Sequence, residues 1–124
     1  MTDQELVELA FTMLERSYVP YSKFPVGAAL ECADGTVFAA FTPTSCAERT
    51  ALVKAVSEGH RDDFVRLAVV GNSTGPCWPC GACRQMLYEF APDLPLLVAQ
   101  KDHSFVKLSL KELLPHGFGP KDLD

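Results

Sequence analysis

Two cysteine-bearing stretches have to meet at one point, and that demand constrains this chain more than anything else in it. Cys77, Cys80 and Cys83 recur every third residue, and Cys46 stands about thirty residues earlier, two places before Glu48. In a Cys-x-x-Cys pair the sulfurs lie about one helical turn apart and can both reach one tetrahedral ion. A pair of that kind is a weak signal by itself. Pro79-Cys80-x-x-Cys83 with Cys46-x-Glu48 upstream is much stronger, because it supplies three thiolates and a carboxylate that is not a ligand. Three protein donors leave the fourth position of zinc to solvent, which is the catalytic rather than the structural arrangement.

Both stretches place cysteine at an expected helix start. Cys46 follows the candidate caps Thr44 and Ser45, and Cys80 follows Pro79. Helix N-termini carry partial positive charge and unsatisfied N–H groups, so they favour thiolate, the metal-binding form. Three thiolates around a divalent ion leave a net negative centre, and Arg49, one turn from Cys46, is the cation placed to offset it by donating to sulfur. Its alternative is an exposed helix arginine. Glu48 also has a second reading, since Ser45-x-x-Glu48 is a capping box. The two roles compete for the same oxygens, and the presence of Cys80 and Cys83 favours the catalytic one. Cys77 opens two rival constellations: a closed four-thiolate site with Cys46, Cys80 and Cys83, or a redox Cys77-Trp78-Pro79-Cys80 pair.

The first helix should begin at the capping box Thr2-Asp3-Gln4-Glu5, with Leu6, Leu9, Ala10, Met13 and Leu14 forming its apolar stripe up to Val19-Pro20. Val26 to Cys32 and Thr36 to Phe41 read as strands joined by a tight Ala33-Asp34-Gly35 turn. Gly27-Ala28-Ala29 is small enough to let another surface approach closely. A helix follows from Cys46 to about Glu58, stopped by Gly59, then a buried strand from Phe64 to Gly71. Another helix runs from Cys80 to before Ala91-Pro92. Strands over Leu94 to Ala99 and Ser104 to Leu108 precede a short helix capped by Ser109-x-x-Glu112. This order predicts an α/β fold of three layers, a central five-stranded mixed sheet covered by helices on both faces.

The 124 residues are expected to form one domain with one core. Net charge is −5, with basic residues scattered singly, which argues against a nucleic-acid polymer as partner. No apolar run approaches the ~20 residues of a membrane span. An acidic N-terminus without signal-peptide features and an odd cysteine count predict reduced thiols and a cytoplasmic location. Cys32 is expected to be a small core hydrophobe. His60, His103 and His116 are expected to be solvated surface groups.

Tyr21-Ser22-Lys23-Phe24-Pro25-Val26-Gly27-Ala28-Ala29, Cys46-Ala47-Glu48-Arg49-Thr50-Ala51, Pro79-Cys80-Gly81-Ala82-Cys83-Arg84-Gln85 and Leu113-Leu114-Pro115-x-x-Phe118-Gly119-Pro120 cover nearly the whole chain. In that order they resemble the small homotetrameric, all-cysteine zinc cytidine deaminases. The resemblance implies hydrolytic deamination of cytidine or deoxycytidine in pyrimidine salvage. It implies one zinc per subunit on Cys46, Cys80 and Cys83, with Arg49 beside the sulfurs. Glu48 would shuttle protons, taking one from the attacking water and delivering protons to the ring nitrogen and the departing ammonia. Phe24 would stack on the base and the Ala47 backbone would hold the pyrimidine edge. Phe118 would reach a neighbouring subunit's pocket, so that a homotetramer shares its sites between subunits. From the residues alone, Phe24 reads equally as a core aromatic, and the alternative for Phe118 is a residue that pins the tail to its own subunit.

One departure stands out. The family carries an Asn-x-Glu-Asn run between the second strand and the Cys-Ala-Glu helix, and that run holds the ribose hydroxyls. Here Val37-Phe38-Ala39-Ala40-Phe41-Thr42-Pro43-Thr44-Ser45 leads straight to Cys46. The join is roughly seven residues short, or ~23 Å of extended chain. Either the deletion is real and alters the sugar pocket, or the written sequence omits a segment that the protein carries; the intact flanking motifs favour omission. Two other functions follow from these features: deamination of a non-ribose or antibiotic cytosine derivative, and a catalytically silent zinc-stabilised assembly module.

Overall fold

A computed structural model of the chain describes residues 2–14, 26–41, 47–71 and 81–113. Helix α1 spans Asp3–Leu14 and opens on a reciprocal capping box. The Glu5 amide donates to Thr2 Oγ1 at 3.1 Å, and the Thr2 amide donates to Glu5 Oε1 at 2.9 Å. Removing the hydroxyl strands one helix-end donor, so Thr2→Ala should lower stability by about 1 kcal/mol in urea unfolding. The helix buries Leu6, Val7 and Ala10 completely, with Leu9, Phe11 and Leu14 packed around them. Val7 lies outside the expected stripe because the buried face is centred between Leu6 and Val7 and takes in both.

Strands β1 (Val26–Cys32), β2 (Val37–Phe41), β3 (Phe64–Gly71), β4 (Pro95–Ala99) and β5 (Phe105–Ser109) form one sheet in the order β2-β1-β3-β4-β5. β1 pairs antiparallel with both β2 and β3, β3 pairs parallel with β4, and β4 antiparallel with β5. The β1–β2 ladder is unbroken from Glu31↔Val37 to Gly27↔Phe41, so the strand is continuous up to the shortened join. β2 starts one residue later than the sequence suggests, because the Thr36 amide turns back to Asp34 Oδ1 at 2.9 Å. β4 likewise starts at Pro95, since the Leu94 amide donates to the Ala91 carbonyl.

Helices α2 (Ala47–Ser57), α3 (Gly81–Phe90) and α4 (Leu110–Leu113) complete the order of elements. Ala51, Leu52 and Ala55 of α2, Leu87 and Tyr88 of α3, and Leu110 of α4 share one core with Ala28, Leu30, Leu67, Val69, Leu96 and Val98 of the sheet. On the opposite face, Ala29, Ala68, Val70, Leu97 and Ala99 pack against α1. The sheet is therefore sandwiched between α1 and the other three helices, as the alternating order of elements predicted. At the start of α4, Glu112 Oε1 accepts from the Ser109 hydroxyl at 3.3 Å, which matches the expected cap.

Polar groups tie α1 to this frame. Arg66 on β3 donates to Glu31 of β1 at 2.6 Å and also pairs with Asp3, which Lys107 of β5 reaches at 3.1 Å. Those hydrogen bonds, Lys107 first, hold the Asp3 carboxyl below its ordinary range. His103 is not simply a solvated group. It adopts a positive φ of 72°, stacks on Phe11 with ring centres 3.7 Å apart, and meets Glu8 at 2.8 Å. The β4–β5 turn is thereby fastened to α1.

Candidate active site

The topology decides where the two cysteine-bearing stretches meet. β2 and β3 are both antiparallel to β1 and so run the same way, and β4 runs with them. α2 leaves the carboxyl end of β2, and α3 leaves the carboxyl end of β3. Phe41 pairs with Gly27, and Gly71 pairs with Val26, so both strand ends flank the beginning of β1. The N-termini of α2 and α3 consequently rise from one edge of the sheet. In open α/β sheets this crevice beyond the carboxyl ends of parallel strands is where ligands bind.

Four of the predicted site residues fall on described elements. Ala47, Glu48 and Arg49 are the first three residues of α2, and Cys83 is the third residue of α3. Cys46 immediately precedes α2 and Cys80 immediately precedes α3; both lie outside the described residues, as do Cys77, Phe24 and Phe118. The sequence expected the helices to start at Cys46 and Cys80, and their described spans are Ala47–Ser57 and Gly81–Phe90. The lower halves of the two helices pack together through Leu52, Val56, Met86 and Phe90, which bound a cavity of about 160 Å³. That contact holds the lower halves of the two helices side by side.

A larger cavity, about 670 Å³, runs along edge strand β2 and the outer side of α2 between Val37, Phe38, Ala39, Val53 and Lys54. It is an open groove, and Thr50, which follows Arg49 on α2, is among the residues that line it.

A second group of metal-ligand types stands at the opposite edge. One ligand atom each from Cys32, His60 and Asp63 lie within 4.8 Å of one another. Cys32 ends β1 and pairs with Phe64 at the start of β3, six steps of ~3.3 Å, or roughly 20 Å, from Val26. These three residues are therefore no part of the predicted centre. Cys32 is 1% exposed, as expected of a core hydrophobe, and burial, with Asp63, Asp34 and Glu31 nearby, pushes its thiol up to about 11. His60 departs from expectation: its side chain is mostly buried, hydrogen-bonds Asp63 at 2.7 Å, and meets Phe38 edge-on. The Asp63 hydrogen bond raises its pKa. Sequence reasoning missed this residue because Phe38, which covers its ring, lies on β2, and the bond to Asp63 depends on the bend between them.

A five-stranded mixed sheet between helices, with two helix N-termini bearing cysteine and glutamate at one strand edge, defines a deaminase-type α/β fold. Residues 1–97 match the cytidine and deoxycytidylate deaminase zinc-binding region. The chain is 43% identical over 131 positions to a cytidine deaminase of Sporosarcina psychrophila, covering 99% of this chain and 96% of that one. It is 42% identical over 132 positions to a cytidine deaminase of Halalkalibacterium halodurans, covering 100% and 99% respectively. The crystal structure of a Burkholderia pseudomallei cytidine deaminase superposes with a TM-score of 0.89 at 41% identity, covering 95% of this chain and all of that one. This chain belongs to the cytidine and deoxycytidylate deaminase family, and it is an enzyme of that family. Against the 132 positions aligned with the Halalkalibacterium protein this chain has 124 residues, so at least eight positions have no counterpart here. Among the described residues, no helix is long and apolar enough to cross a membrane.

Proposed function

We propose that the chain is a zinc-dependent cytidine deaminase that converts cytidine and deoxycytidine to uridine and deoxyuridine, a step of pyrimidine salvage. The observation that carries this reading is the common origin of α2 and α3 at one sheet edge. In the sequence, Cys46 directly precedes α2, whose second residue is Glu48, and Cys80 directly precedes α3, whose third residue is Cys83.

The donor set suits zinc. Three thiolates match its preference for sulfur, and the positive ends of two helices favour their ionised form. Cys46, Cys80 and Cys83 would hold one ion per subunit, with Arg49 offsetting the excess negative charge. Zinc at that position supplies a Lewis acid that lowers the pKa of water toward neutrality. Glu48 accepts the proton of the attacking water and passes it to the ring nitrogen beside the amino-bearing carbon, which makes that carbon electrophilic. After the addition, Glu48 takes the proton of the new hydroxyl and hands it to the amino group; the carbonyl forms as the bond from carbon to the amino nitrogen breaks, and ammonia leaves. Phe24, the Ala47 backbone and a neighbouring subunit's Phe118 position the base, so the working unit is a homotetramer in the cytoplasm. The direct test is ammonia release from cytidine by zinc-replete protein; no release at any substrate concentration refutes the reading.

Cys77 separates the open centre from a closed one. Cys77→Ser should keep one zinc at the Cys46, Cys80 and Cys83 site and at least half the wild-type turnover, measured by metal analysis and by uridine formation. Loss of both points to a fourth thiolate ligand and leaves Glu48 with no water to activate.

A second reading, deamination of a cytosine carried on something other than ribose, is favoured by the eight or more aligned positions without a counterpart here. On this reading the deficit falls in the short connection between β2 and α2. Comparing kcat/KM for cytidine, deoxycytidine and free cytosine discriminates the two. Similar values for all three mean that the sugar contributes nothing to recognition.

A further inference from the structure

We propose that Cys32, His60 and Asp63 form a second metal site, one that takes zinc or a similar divalent transition ion at the sheet edge opposite the helix N-termini. The three residues come from two segments: Cys32 from the end of β1, and His60 and Asp63 from the α2–β3 connection, on either side of its bend. Sulfur, imidazole nitrogen and carboxylate oxygen are the donor types zinc accepts. Their ligand atoms lie within 4.8 Å of one another. Ligands on a tetrahedral zinc, at bond lengths of ~2.0–2.3 Å, stand roughly 3.4–3.6 Å apart. Shifts of the order of an ångström therefore close the cluster around an ion.

Two further features single this cluster out from an ordinary ion pair. Asp63 Oδ1 is buried without a hydrogen-bond partner among the described residues, while its other oxygen bonds His60. A buried carboxylate oxygen left unsatisfied is rare and calls for a partner. Negative charge also surrounds the spot: Glu31, Asp34 and Asp63 all act on the Cys32 sulfur, and Asp34 Oδ2 lies 4.0 Å from His60 Nε2. Asp34 is thus placed to serve as fourth ligand or to hold a bound water.

The backbone keeps the donors in place. The Ala33 amide donates to the Asp63 carbonyl at 2.8 Å, which locks the β1–β2 turn to the α2–β3 connection. Gly59 takes a φ of 94° after α2, and the His60 amide then donates back to the Ala55 carbonyl at 3.0 Å. When the ion binds, Cys32 loses its thiol proton to solvent, and His60 binds as the neutral imidazole through one ring nitrogen, the other keeping its proton. The ion cross-links the two turns, so its role is structural.

The test compares the zinc content of wild type with that of His60→Gln and Asp63→Asn. Each protein is equilibrated with excess Zn2+ and desalted, and its fold is checked by circular dichroism. Wild type should retain about one more zinc per subunit than either variant. This difference does not depend on how much zinc the Cys46, Cys80 and Cys83 centre holds, so failure of that reading would not be mistaken for failure of this one. Equal zinc contents in wild type and the variants overturn the proposal. A second measurement needs no substitution: wild-type crystals grown with Zn2+ should show an anomalous peak between Cys32 Sγ, His60 and Asp63 at the zinc edge. No peak there also overturns it.

Discussion

Glu48→Gln is expected to leave zinc content and folding unchanged and to lower kcat for cytidine by about 10³–10⁴-fold, near the upper end for general acid–base catalysis. The loss is large because one carboxylate handles every proton transfer in the proposed sequence, and an amide handles none. The substitution also separates the two roles open to this residue. Glu48 is the second residue of α2, where a side-chain oxygen can cap the helix start. Glutamine keeps that oxygen and still serves in a capping box. A variant that deaminates normally makes Glu48 a cap and removes it from the chemistry. A variant that is inactive but retains zinc, with an unchanged urea midpoint, assigns it the proton shuttle. Parallel ammonia-release and metal assays on one preparation decide between them.

Gly27→Ala should be the most damaging small substitution in the described frame, with a loss of about 3 kcal/mol. A Cβ built on Gly27 would lie 2.2 Å from the Ala10 carbonyl oxygen and 3.0 Å from the Leu14 amide nitrogen. Both atoms belong to the backbone of α1, so no side-chain rotation relieves the overlap. Gly27 is held between Phe41 and Val70 in the sheet and has little freedom to retreat. The helix must therefore lift, loosening Leu6, Val7 and Ala10, all three fully buried. Against a total stability of about 5–15 kcal/mol such a loss is severe. Urea unfolding followed by far-UV circular dichroism checks it, and an unchanged midpoint would mean that α1 and β1 are not in such close contact. The sequence foresaw a close approach at Gly27-Ala28-Ala29. It did not say that α1 makes it.

Features governed by neighbouring residues are legible in the sequence. The capping boxes at Thr2–Glu5 and Ser109–Glu112, the Asp34-Gly35 turn and the burial of Cys32 all depend on local hydrogen bonding or on one residue's apolarity, and each is as expected. The boundaries of β2 and β4 moved by one residue, because a turn amide bonded backwards instead of joining the ladder. The exposure of His103 is as expected, but its contacts, and the partial burial of His60, could not be read from the sequence. Their partners, Asp63 with Phe38 and Glu8 with Phe11, include residues 22 and more than 90 positions away.

By itself the sequence determined which groups are available for chemistry. It set the thiols, the carboxylate and the helix starts beside them, since periodicity, caps and ligand spacing act over a turn or two of chain. The tertiary structure decided where those groups go. Placing β1 between β2 and β3 makes the two outer strands run the same way, and their carboxyl ends then launch α2 and α3 from a common edge. It also sent Cys32, His60 and Asp63 to the far edge as a separate cluster. Strand order is settled by which apolar faces can be buried together, a condition on the whole core, and no short stretch of sequence carries it.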